Sequence, residues 1–223
     1  MKSGLLASSI ILALGLCSAL HASADGSKIK NPPWSVLYDQ NNSDSGHSIP
    51  SFSGNSAFDS IGADDFVVPV GDWWQIREVD VTTRVNRKLD YVMVTVYRNA
   101  GGLPGSVIES CYVRNGNFSR KITYNGGILT IQIGGPSGRH CLGHLHGGNK
   151  TGKTFWISVV AGNPHKWVWE TRTVALGAKG AWQNPNGGYQ TNCYNWRHLP
   201  HCWSSRGEDF MFTLKGKEWA TRR

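Results

Sequence analysis

From Glu78 to Val85 the chain alternates without a break: Val79, Val81, Thr83 and Val85 fall on one side, Glu78, Asp80, Thr82 and Arg84 on the other. In an extended chain successive side chains point to opposite faces, so a period of two gives a strand with one buried and one wet face. Val92, Val94 and Val96 repeat the pattern beside Tyr91, Met93, Thr95 and Tyr97. Further candidate strands lie at 65–69, 106–114, 118–124, 128–133, 154–161, 166–171 and 209–214. Turn strings such as Asn99-Ala100-Gly101-Gly102, Asn115-Gly116 and Asn125-Gly126-Gly127 separate them. No stretch reads as a helix. About nine or ten strands joined this way predict an all-β chain, a single jelly-roll-like β-sandwich domain over 63–216. Residues 25–62 are rich in Ser, Asn, Gly and Asp, with one apolar run from Trp34 to Tyr38, and predict an irregular N-terminal arm. Residues 217–223 predict a tail.

Lys2, an apolar run from Leu5 to Leu16 and the small-residue string Ala22-Ser23-Ala24 read as a secretory signal peptide over 1–24. A secreted or periplasmic location is therefore expected. The run is too short to span a bilayer, and no later segment is read as a membrane span. Cleavage would remove Cys17 and leave Cys111, Cys141, Cys193 and Cys202, an even number that predicts two disulfides in an exported chain. Of the three possible pairings, Cys111 with Cys141 and Cys193 with Cys202 is favoured, because each closes a local loop. The formal net charge of +8 comes from scattered Lys and Arg residues. Without a clustered stripe it argues against specific nucleic-acid binding and for attraction to acidic cell-surface polymers.

Five strings occur in a telling order: Ala63-Asp64-Asp65-Phe66, Leu103-Pro104-Gly105-Ser106, Phe155-Trp156-Ile157-Ser158-Val159, Ala181-Trp182-Gln183-Asn184-Pro185, and Cys193 through Trp196 to Cys202 followed by Glu208-Asp209-Phe210. That order resembles a group of secreted bacterial β-sandwich proteins, over most of 63–216. The resemblance implies a fold and an exported location. The group has no established activity, so no chemistry is implied.

Three constellations are candidates for function. Five of the ten tryptophans, Trp167, Trp169, Trp182, Trp196 and Trp203, crowd into one segment together with Tyr189, Asn184, Asn186 and Asn192. Indole faces stack on sugar rings while polar neighbours bind hydroxyls, so an aromatic platform on disulfide-stiffened loops is one reading. Packing of the same rings under a long loop is the other, and Trp156 is expected in the sandwich core. His140, His144 and His146 form H-x-x-x-H-x-H, which could ligate zinc, copper or nickel; an exposed glycine-rich loop is the alternative. Asp64, Asp65, Glu208 and Asp209 could ligate a structural calcium ion if the first and last strands meet, the alternative being strand-end capping or pairing with arginine. The chain has no G-x-S-x-G and no H-E-x-x-H, and no phosphate-cradling loop is expected.

These features predict a secreted, non-catalytic protein that binds carbohydrate or another cell-envelope polymer through Trp/Tyr/Asn-rich loops. A metal-dependent hydrolase built from the 140–146 loop or the acidic strand ends is the alternative, and an adhesive or structural protein-binding module a further one.

Overall fold

The structure is a computed structural model that describes residues 34–54, 56–85, 89–114, 121–134, 141–162 and 167–220. The expected leader at 1–24 lies outside them. In chain order the described strands are Ser35–Asp39 (β1), Asp44–Pro50 (β2), Phe52–Ser53 (β3), Ile61–Val68 (β4), Asp72–Thr82 (β5), Tyr91–Asn99 (β6), Pro104–Arg114 (β7) and Lys121–Asn125 (β8). They continue with Ile128–Gln132 (β9), Leu145–His146 (β10), Lys153–Gly162 (β11), Val168–Arg172 (β12), Ala181–Gln183 (β13), Arg197–His198 (β14), Asp209–Phe210 (β15) and Phe212–Ala220 (β16). A four-residue helix, Leu199–Cys202 (α1), precedes the last two.

The ladders are nested. β1 pairs with β16, β4 with β11, β5 with β9 and β6 with β7, all antiparallel. Among these eight principal strands the first meets the last, the second the seventh, and so on inward, which is a long hairpin rolled up into a jelly roll. One sheet runs β1-β16-β5-β9-β8, with β10 added on β5; the sheet packed against it runs β14-β13-β4-β11-β6-β7, with β3 added on β11. A small third sheet, β15-β12-β2, adds Ile49, Trp169 and Phe210 to the same core. At the β8–β9 hairpin Asn125 pairs with Ile128, and Gly126 and Gly127 both have positive φ. A two-residue turn of that hand needs residues without a Cβ penalty.

A bulge sets which side chains reach the core. Lys215 of β16 pairs with Glu78, whereas its neighbour Gly216 pairs with Ile76, so Arg77 is an extra residue in β5. The side-chain parity therefore flips at Arg77. Trp74 and Ile76 before it, and Val79 and Val81 after it, all enter the core.

Three expectations need correction. The arm at 25–62 is not irregular where it is described: β1 is the ladder partner of β16, β2 pairs with β12, and Tyr38 stacks on Phe212. Its polar composition hides strands whose stability comes from distant partners. The tail is likewise shorter than expected, because β16 continues to Ala220. Trp156 is buried, but not between the sheets. Phe155, Ile157 and Val159 face the main core, whereas Trp156 lies with Tyr97, Ala63 and Ala181 in a second cluster and donates its indole N–H to Asn99 Oδ1 at 3.0 Å.

Both disulfides have the expected pairing, Cys111–Cys141 and Cys193–Cys202. Such bonds persist in a non-reducing environment. Among the described residues no helix is long and apolar enough to cross a membrane.

Candidate functional site

Trp167, Trp169 and Trp182 are fully buried and cannot present a platform. Trp169 stacks on Phe210 at 4.5 Å and donates to Met211 O; Trp182 donates to Pro50 O. Tyr189 and Trp203 are half-buried and pack edge-on against Trp182 and each other, with centroids 5.2 to 5.6 Å apart. Trp196 packs edge-on against Tyr97. The polar neighbours are committed as well, since the Asn184 side-chain amide donates to Ala57 O and Asp59 O and that of Asn186 to Ser56 O. Segment 167–203 is thus mainly a packing element. The indoles that buried it in the core also gave it its high tryptophan count.

The acidic strand ends do meet, though not as paired strands. β4 lies between β13 and β11, and Asp209–Phe210 pairs with β12. The link is a side chain: the Phe210 N–H donates to Asp64 Oδ2 at 2.6 Å, and Gln40 Nε2 donates to the same oxygen. Asp209 accepts from the N–H groups of Leu176 and Gly180, and Asp65 accepts from that of Ala178. Burial pushes Asp65 and Asp209 up to about 6. Asp64 is also raised well above the usual carboxylate range, by burial first and the Asp209 charge second. Glu208 is elsewhere, paired with Lys179 at 2.7 Å. The four carboxylates therefore do not assemble as one calcium cage: Asp65 and Asp209 hold the backbone of the 176–180 loop, Asp64 holds the Phe210 N–H and the Gln40 amide, and Glu208 has its own cation.

The histidine segment carries an unexpected aromatic surface. His140 lies outside the described residues. The Cys111–Cys141 bridge ties the start of the segment to β7, and the Gly143 N–H donates to the Glu109 carboxylate. β10 then joins β5, with His146 opposite Trp73. His146 stacks on Trp73 at 4.3 Å, while His144 packs edge-on against Trp219 at 5.2 Å. Trp73 and Trp219 are themselves directly opposed across β5 and β16. They remain 39% and 42% exposed. Trp34 adds a third indole, with the Arg77 guanidinium 5.3 Å and the Lys217 ammonium 6.0 Å from its ring. Both imidazoles are thus engaged with indoles, and among the described residues no group of three or more His, Cys, Asp or Glu is placed to hold a metal ion. Sequence reasoning passed over Trp73 and Trp219. The signal was Trp73-Trp74 at the start of an alternating strand, where one of two adjacent indoles must face outward.

Directly after His146, residues 147–153 line an open depression of about 400 Å³. The string Gly147-Gly148-Asn149-Lys150-Thr151-Gly152-Lys153-Thr154 matches G-x-x-x-x-G-K-T, which corrects the expectation that no such loop exists. It runs into strand β11 and not into a helix, so the helix N-terminus of a nucleotide-binding loop is missing here.

No protein-family model, curated protein or solved structure matches the chain.

Proposed function

We propose that this is a secreted, non-catalytic binding protein that holds a carbohydrate or other cell-envelope polymer on the outer face of the β1-β16-β5 sheet. The reading rests on one observation: two tryptophans opposed on neighbouring strands keep about two-fifths of their surface exposed. An indole pair left in water costs apolar hydration unless something covers it, and the flat face of a sugar ring fits such a surface. His146 and His144 buttress the rings and carry polar nitrogens at their edges. The strands hold the rings rigidly, so little entropy is lost on binding. The two disulfides fit an exported protein.

Affinity electrophoresis and pull-down on insoluble polysaccharides test the reading. The wild-type protein is expected to bind at least one envelope polymer, and Trp73→Ala and Trp219→Ala to weaken that binding while leaving the fold intact. Unchanged binding in both variants would overturn it.

A further inference from the structure

The Gly147–Lys153 loop continues the aromatic face. The Gly147 N–H donates to Asp72 O at 2.9 Å, and the Gly71 N–H donates to Gly148 O at 2.9 Å. The loop is thereby stitched to the residues immediately before Trp73, while His146, which stacks on Trp73, leads into it from the other side. Its glycines are required by this close approach. A Cβ on Gly147 would lie 1.7 Å from Pro69 O, and one on Gly152 would lie 2.8 Å from Val67 Cγ1. The depression therefore begins where the indoles end.

Its charge is one-sided. The lining contains Lys150 and Lys153 and no carboxylate. Asp72 leaves one carboxylate beside the loop against these two lysines. On the same sheet Glu78 and Asp80 are already paired with Lys215, at 3.0 and 2.5 Å, and Glu218 accepts the Trp74 indole N–H. Arg77 and Lys217 flank Trp34. Among the described residues, no backbone hydrogen bond engages the N–H groups of Asn149, Lys150 or Thr151. Successive backbone donors in a glycine-rich turn beside two ammonium groups are the elements of an oxyanion cradle.

We propose that the Gly147–Lys153 loop binds the anionic group of an acidic glycan whose sugar rings lie on Trp73 and Trp219, so that the polymer recognised is negatively charged. This rests on the aromatic face as the sugar site. The shared chemistry is an oxyanion on a sugar polymer, supplied either by a uronic-acid carboxylate or by a phosphodiester.

The test titrates the full chain with three polymers of similar length: polygalacturonate, poly(glycerol phosphate) bearing sugar substituents, and a neutral β-glucan, each at low and at physiological salt. At low salt the acidic polymers are expected to bind about tenfold or more tightly than the neutral one, with the advantage shrinking as salt screens the lysines. The better of the two acidic polymers identifies the source of the oxyanion. Lys150→Gln/Lys153→Gln is expected to lose about tenfold to a hundredfold toward the acidic polymers and nothing toward the neutral glucan. Trp73→Ala should weaken all three. Equal binding of neutral and acidic polymers, or a lysine variant that binds the acidic polymers as the wild type does, overturns the anionic assignment while the aromatic site stands. If no polymer binds, both readings fall. Thermal midpoints of the variants, expected within a few degrees of wild type because both lysines are exposed, keep misfolding out of the comparison.

Discussion

Trp73 and Trp219 sit opposite each other on β5 and β16, and each has an imidazole against its ring, His146 on the first and His144 on the second. Four rings, from β5, β16, β10 and the residue just before β10, thus share one surface, and none of them is in the tryptophan-rich segment 167–203.

That arrangement separates two kinds of tryptophan by experiment. Trp73→Ala and Trp219→Ala remove exposed stacking surface, and each is expected to reduce polymer affinity about fivefold to a hundredfold with a loss of stability of about 1 kcal/mol or less. Trp169→Ala and Trp182→Ala empty fully buried sites and are expected to cost about 3 to 5 kcal/mol of folding stability, with the affinity of the folded fraction unchanged. Urea denaturation and isothermal titration of the same four variants check both halves.

The buried carboxylates give the stability an unusual pH dependence. Asp65 and Asp209 ionise near 6 and Asp64 is raised as well, each chiefly through burial. The folded state therefore holds these protons more tightly than the unfolded chain. Their contribution favours folding in full below about pH 4 and is lost as the pH rises through about 6. The urea midpoint is expected to rise on acidification from about pH 7 to about pH 5. A midpoint that falls over this interval would show that the acids are ionised and paired in the folded protein.

The Cys111–Cys141 bridge holds the segment that delivers both histidines. Replacing both cysteines with serine is expected to cost about 3 to 4 kcal/mol by the loop-closure estimate for a separation of 30 residues. It should also weaken polymer binding at temperatures where the protein remains folded, because β10 loses its anchor. The Cys193–Cys202 pair, 9 residues apart and remote in sequence from that segment, is expected to affect stability alone. Binding measured well below each variant's melting midpoint distinguishes them.

Glycine substitution offers a sharper probe of the loop. Gly147→Ala would push a methyl group into the Pro69 carbonyl, so the loop must move away from β4. Its effect is expected mainly on acidic-polymer affinity, read by titration, since the loop is peripheral to the core.

Much of the sandwich was readable because it repeats locally. Val79 and Val81, or Val92, Val94 and Val96, declare a strand within a few residues, and both disulfide pairings followed from loop length. β1 and β2 did not declare themselves, because Ser35–Asp39 and Asp44–Pro50 owe their conformation to β16 and β12, far along the chain. Parity was the second blind spot. The apolar run around Trp156 looks uniformly buried, and only the covering residues Trp196, Leu103 and Ala178 reveal that its other face is also covered. The proposed binding surface was missed for the opposite reason. Trp density marks where indoles fill space, whereas Trp73 and Trp219 become neighbours only through a ladder between residues far apart in sequence. The P-loop-like string was visible as letters, and its meaning depended on the strand that follows it.

The nested ladders carry a consequence for how this chain matures. Because β1 has β16 as its partner, the edge of one sheet stays open until residues 212–220 are free to dock. Pairings of such high sequence separation form slowly, since the closure entropy of the whole chain is spent before any contact offsets it. A chain threaded through an export channel from its N-terminus would thus remain unclosed throughout its passage. On the export route proposed above, folding would begin in earnest only on the far side, in the non-reducing environment in which its two disulfides persist.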